Sequence, residues 1–135
     1  MIPDFKALIE RIGVNEGFRS KPYQCSEGVW TIGHGFTWIA EEESFSILSG
    51  RISQLHLKLL DDLDWYKDMP PEVKGVIIEM CFQMGFAGFR KFKKAISNMQ
   101  DKDWKGAADE MLDSRWAKQT PGRANRLADI VREHG

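Results

Sequence analysis

Apolar residues recur at helical spacing in nearly every stretch of this chain, and a single glycine-rich interval, residues 17–36, interrupts them. That contrast confines the architecture to a mostly helical body with one small β element. Within the interval, glycines at 17, 28, 33 and 35 and the β-favouring Tyr23, Val29, Trp30, Thr31 and Ile32 surround the turn Ser26-Glu27-Gly28. This pattern predicts a hairpin. Before it, Phe5, Leu8, Ile9 and Ile12 follow Pro3-Asp4 and predict a helix over about residues 3–14, whose spacing extends to Glu16.

After the interval the helical period returns. Phe45, Leu48, Ile52, Leu55, Leu59 and Leu63 predict a long helix, and Glu41, Glu42 and Glu43 suit its positive N-terminal end. Pro70-Pro71-Glu72 opens a further helix, with Val73, Val76, Ile77, Met80, Cys81 and Met84 on a broad apolar face that predicts central burial. Gly85-Phe86-Ala87-Gly88 breaks that period, and Phe89, Phe92, Ile96 and Met99 resume it. Asp103 and Thr120-Pro121 are the start signals of two more helices. The reading is thus α+β and predominantly helical, one domain over residues 1–135, with a small β lobe at about 15–38 and a helical lobe at about 40–135.

Composition narrows the function classes. With 42% hydrophobic and 29% charged residues the chain belongs with ordinary globular proteins. The opening segment carries charges too early for a signal peptide or a membrane span, so neither export by its own leader nor membrane insertion is expected. Cys25 and Cys81, the two cysteines, read as free thiols, with Cys81 a small hydrophobe of the core. Residues 1–82 carry a net charge of −5 and residues 83–135 one of +4, which makes the C-terminal part the better candidate to meet an anionic polymer. No dense basic cluster interleaved with aromatics occurs, so nucleic acid is not an expected partner. His34, His56 and His134 are scattered, and neither a Cys-x-x-Cys pair nor a phosphate loop is present, so no metal and no cofactor are expected.

Cleavage of a glycosidic bond needs a protonated acid at the leaving oxygen and a second group that activates water or bonds to the sugar carbon. Glu16 at a helix end, Cys25 in a loop and Thr31 in a strand are candidates for that work, separated by eight and five residues. On spacing alone Glu16 is equally a solvated helix terminus. The surrounding text is more specific: Asn15-Glu16-Gly17-Phe18-Arg19-Ser20-Lys21-Pro22-Tyr23, then Glu27-Gly28-Val29-Trp30-Thr31-Ile32-Gly33. A second block reads Phe82-Gln83-Met84-Gly85, Ala87-Gly88-Phe89, and Ser114-Arg115-Trp116 followed by Gln119-Thr120-Pro121, Arg123-Ala124 and Arg126. Together these resemble the phage lysozyme and endolysin family, from Ile9 to about Arg126. The resemblance is weakest from Thr37 to about Leu60, where the chain is shorter than the T-even members.

The resemblance implies a two-lobed lysozyme-like fold with a cleft between a small sheet-bearing lobe and a larger helical lobe. It implies a muramidase that cuts between N-acetylmuramic acid and N-acetylglucosamine in bacterial peptidoglycan, with Glu16 as general acid. Cys25 stands where most members carry aspartate, and Thr31 matches the threonine that positions water or supports the second group. Arg123 matches an arginine that approaches the acid from the helical lobe, and Phe82 and Gln83 match residues lining the cleft. With no leader expected, the chain is read as a monomer made in the bacterial cytoplasm, and the family setting implies that it reaches the wall once a holin has opened the inner membrane.

Two positions depart from the family. A thiol titrates near ~8.5 and is mostly neutral at pH 7 unless a cation lowers it, so Cys25 is open as nucleophile, base or spectator. Inversion or retention at the anomeric carbon is open with it. Gly33-His34-Gly35-Phe36 replaces the usual Gly-x-Gly-His, which displaces His34 and removes it from the catalytic candidates. Two alternatives follow: a lysozyme-like module that binds glycan or protein without cutting, and a lytic transglycosylase using Glu16 alone.

Overall fold

The computed structural model describes residues 3–134, so Met1, Ile2 and the final Gly135 of the expected helical lobe lie outside the described residues. Seven α-helices and one two-stranded antiparallel sheet follow each other along the described chain. Two compact units divide between Ile47 and Leu48.

In the first unit, α1 (Phe5–Glu16) starts where Asp4 accepts a hydrogen bond from the Ala7 amide at 3.2 Å as its N-cap. It runs two residues further than its apolar spacing predicts, so Glu16 is its last residue and Gly17 follows as the cap. No residue of α1 is buried: Phe5, Ile9 and Ile12 are exposed despite their core-like spacing. The hairpin follows as β1 (Arg19–Gln24) and β2 (Trp30–Gly33). Tyr23 faces Thr31 and Gln24 faces Trp30 in register, and the turn closes with Gly28 donating to the Cys25 carbonyl at 2.9 Å. Thr31 is the one buried residue among those described before Leu48.

α2 (Glu41–Asp62) runs across the division, with Glu41, Glu42 and Glu43 in its first turn. In the second unit Leu59 is fully buried, while Leu55 and Leu63 pack against the same core. A single 3-10 turn, Tyr66–Asp68, then places Tyr66 at full burial, and its hydroxyl pairs with His56 Nδ1 at 2.7 Å. Burial pushes the Tyr66 pKa up, and the nearby Cys81 thiol adds to that, so the phenol stays a neutral partner that ties the end of α2 to the core.

α3 (Pro71–Arg90) is the central helix: Val73, Val76, Ile77, Met80, Cys81 and Phe89 are all buried. The break predicted at Gly85 is present as a kink with φ 83°, although helix resumes through Arg90. Around α3 stand α4 (Lys93–Gln100), α5 (Trp104–Leu112), α6 (Arg115–Gln119) and α7 (Pro121–Arg132), with α5 packed mainly on α4 and α7. Asp103 caps α5 through the Gly106 amide at 3.0 Å. Thr120 sits at the cap position of α7, but its hydroxyl donates back to the Trp116 carbonyl at 3.0 Å. Burying each large side chain here stabilises the unit by about 1.5–3 kcal/mol, so this unit carries the stability of the chain.

Candidate active site

Glu16 ends α1, Cys25 follows β1 and Thr31 lies in β2, so the first group of candidates all belong to the first unit. Glu16 is exposed, and its carboxylate lies so close over Gly35 that a Cβ there would collide with it. Gly35 also holds φ 82°, a left-handed conformation that favours glycine. The glycine of the displaced Gly33-His34-Gly35-Phe36 motif therefore makes room for the candidate acid. His34 stacks on Phe18, ring centroids 5.3 Å apart, and its ring edge faces Gly13 of α1. That placement supports α1 against the hairpin.

Cys25 lies just past the end of β1, at the start of the turn, and Thr31 lies in β2. The Cys25 amide donates to the Val29 carbonyl at 2.9 Å, which sets the sulfur at the mouth of the turn. The thiol pKa is lowered, first by the backbone N–H of Glu27, then by that of Val29, with the Thr31 hydroxyl adding a smaller effect against slight desolvation. The turn amides, not a cation, are the cause, because N–H groups near a sulfur favour its anion. Thr31 Oγ1 donates to the Val29 carbonyl at 3.0 Å. The same hydroxyl contributes a small part of the lowering of the Cys25 thiol. Cys81 behaves in the opposite way: burial in α3 pushes its thiol up to about 11, which makes it a neutral packing group.

The second group of candidates sits in the second unit, on α3 and α7. Phe82 is 48% exposed and lines a recess of about 250 Å³ together with Leu48, Ile52, Ile78, Glu79 and Arg123. Gln83 accepts a hydrogen bond from Trp116 Nε1 at 2.9 Å, which satisfies the buried indole and leaves the Gln83 NH2 as a donor. Arg123 Nε donates to Glu79 Oε2 at 2.8 Å, with the two side chains 34% and 44% exposed. A pair this accessible stabilises the fold by roughly 1 kcal/mol at most, so its main effect is on where the guanidinium points.

Sequence reasoning did not single out Glu79. Its signal was available: a lone carboxylate inside the apolar run of α3, one turn before Phe82 and Gln83. A larger recess of about 490 Å³ gathers Lys91, Lys93, Lys94 and Arg115 beside Phe92 and Trp116, with Glu110 and Asp113 opposite. Much of the positive charge of the C-terminal part is concentrated there. Among the described residues no group of three or more His, Cys, Asp or Glu side chains converges to hold a metal ion, and no helix is long and apolar enough to cross a membrane.

Comparison with known proteins adds the family. The family model described as Phage lysozyme matches residues 14–132, so the chain belongs to the phage lysozyme family. Probable T4-type lysozyme 2 of Dictyostelium discoideum is 37% identical over 157 aligned positions, covering 92% of each chain. Probable T4-type lysozyme 1 of the same organism is 39% identical over 66 residues, which span 49% of this chain and 39% of that one. The pre-baseplate central spike protein Gp5 of Enterobacteria phage T4 is 42% identical over 158 positions, covering 93% of this chain and 27% of the spike protein. Two of these alignments are longer than the 135 residues of the chain itself, so those relatives carry segments that are absent here.

Proposed function

We propose that this chain is an endolysin-type muramidase that hydrolyses the bond between N-acetylmuramic acid and N-acetylglucosamine in bacterial peptidoglycan. Glu16 donates the proton to the leaving oxygen. Cys25, as thiolate, activates water or attacks the sugar carbon, and Thr31 steadies it. Phe82, Gln83 and Arg123 bind substrate, and residues 1–135 act as one catalytic domain. The observation that carries this reading is the match of residues 14–132 to the phage lysozyme family; at the position where the family usually carries aspartate, the Glu27 and Val29 amides lower the Cys25 thiol. An anion is what the second catalytic group must supply.

The test is loss of turbidity of a purified peptidoglycan suspension. Clearing that vanishes in Glu16→Gln, falls in Cys25→Ser and survives in Cys25→Asp supports the muramidase. No clearing by the unchanged chain defeats it. In its cellular setting the enzyme is made in the cytoplasm and acts as a monomer after a holin opens the inner membrane.

One observation favours a second reading. In the spike protein the matching segment is 27% of a longer chain, so a lysozyme-like unit is also carried inside an assembly. A binding module of that kind retains peptidoglycan without releasing reducing ends, and Cys25→Asp gives it clearing activity that the unchanged chain lacks.

A further inference from the structure

We infer that Glu79 is a positioning residue for Arg123, an inference that rests on the substrate-binding role proposed for Arg123. Glu79 lies on α3 one turn before Phe82 and Gln83, so all three project from one side of the helix. The ion pair engages Arg123 through Nε alone, at 2.8 Å from Glu79 Oε2. Among the described residues Nη1 and Nη2 of Arg123 make no hydrogen bond to protein. The side edge of the guanidinium is therefore tied down while its end edge stays available, and both partners line the recess beside Phe82.

A free arginine side chain samples many rotamers, but its head is a rigid plane. Fixing Nε fixes that plane and hence the direction of the two terminal NH2 groups. Because the pair is partly open to solvent, stability does not explain it; orientation does. Glu79 also neutralises the guanidinium, so the recess presents two donors with little net charge. It therefore takes a neutral acceptor of the glycan, a hydroxyl or carbonyl oxygen, in preference to a free anion.

A double-mutant cycle on Glu79 and Arg123 tests this, with Glu79→Gln as the conservative variant, read as kcat and KM on purified peptidoglycan. It is read again as peptidoglycan affinity in a Glu16→Gln background, and thermal midpoints check folding. The expected result is a KM raised about fivefold in Glu79→Ala with kcat little changed, near-normal behaviour in Glu79→Gln, and a double variant no worse than Arg123→Ala alone. Additive losses, a Glu79→Gln as impaired as Glu79→Ala, or a Glu79→Ala faster than the unchanged chain would each overturn it. The last outcome would mean that Glu79 holds Arg123 away from its target. Coupling in binding without any turnover retains the positioning role and removes the muramidase; turnover with additive losses does the reverse. Neither binding nor turnover overturns both.

Discussion

Before Leu48 the described chain buries one side chain, Thr31, whereas α3 alone buries six. The two regions acquire their shape by different means. The first is set by backbone: four of its glycines hold positive φ, a turn carbonyl is bonded at Gly28, and the acid rests on Gly35. The second is set by packing of Phe89, Met99, Met111 and their neighbours at zero exposure. A thin core leaves Glu16 exposed and Cys25 partly so, and their chemistry can be altered with little change in stability, whereas Thr31 is the buried exception. In the helical unit the reverse holds.

The sharpest way to break this contrast is Glu16→Gln. Turnover should fall about 100- to 10,000-fold with an unchanged urea midpoint, since a general acid contributes on that scale and an exposed side chain little to folding. A large drop in stability would show that the first region depends on packing after all. Next comes Phe89→Ala, which should cost about 3–5 kcal/mol in urea unfolding while refolded protein keeps its kcat. Gly35→Ala should be intermediate and mixed: about 1–2 kcal/mol from the positive φ, and a loss of turnover beyond that because the methyl displaces the acid.

The two thiols give a gentler test. Iodoacetamide at neutral pH should modify Cys25 in the folded chain and reach Cys81 only after unfolding. The midpoint of the Cys25 alkylation rate should lie below that of a free thiol, and Thr31→Val should move it back up. The sign for stability follows: a thiol whose pKa is lower folded than unfolded stabilises the fold above the unfolded value. That contribution fades as pH falls through the folded one.

How much could be read in advance differs between the same two regions. Helix periods, the Asp103 cap, the hairpin about Ser26-Glu27-Gly28 and the break at Gly85 were legible, because each is a local signal. The burial of Tyr66 and its bond to His56 were not, since they depend on residues ten apart meeting around a turn. The exposure of Phe5, Ile9 and Ile12 was also illegible: apolar spacing indicates a face, not what covers it. For the candidate site, Glu16, Cys25 and Thr31 were nominated by the resemblance of the residues around them to the family's motif. The agent acting on the thiol lay in backbone N–H groups, which a sequence of side chains does not display. Glu79 was overlooked because its partner stands 44 residues away on another helix.

Gly85 carries a last consequence. With φ 83° and ψ 160° inside α3, it interrupts the ladder of backbone bonds midway along the central element. Mechanically α3 is two rods on a pivot. Slow amide exchange should register two protected blocks with separate opening energies, the Val73–Cys81 block outlasting the turn around Phe86. Evolutionary drift should find this position nearly closed to every residue with a side chain, even though open space surrounds it.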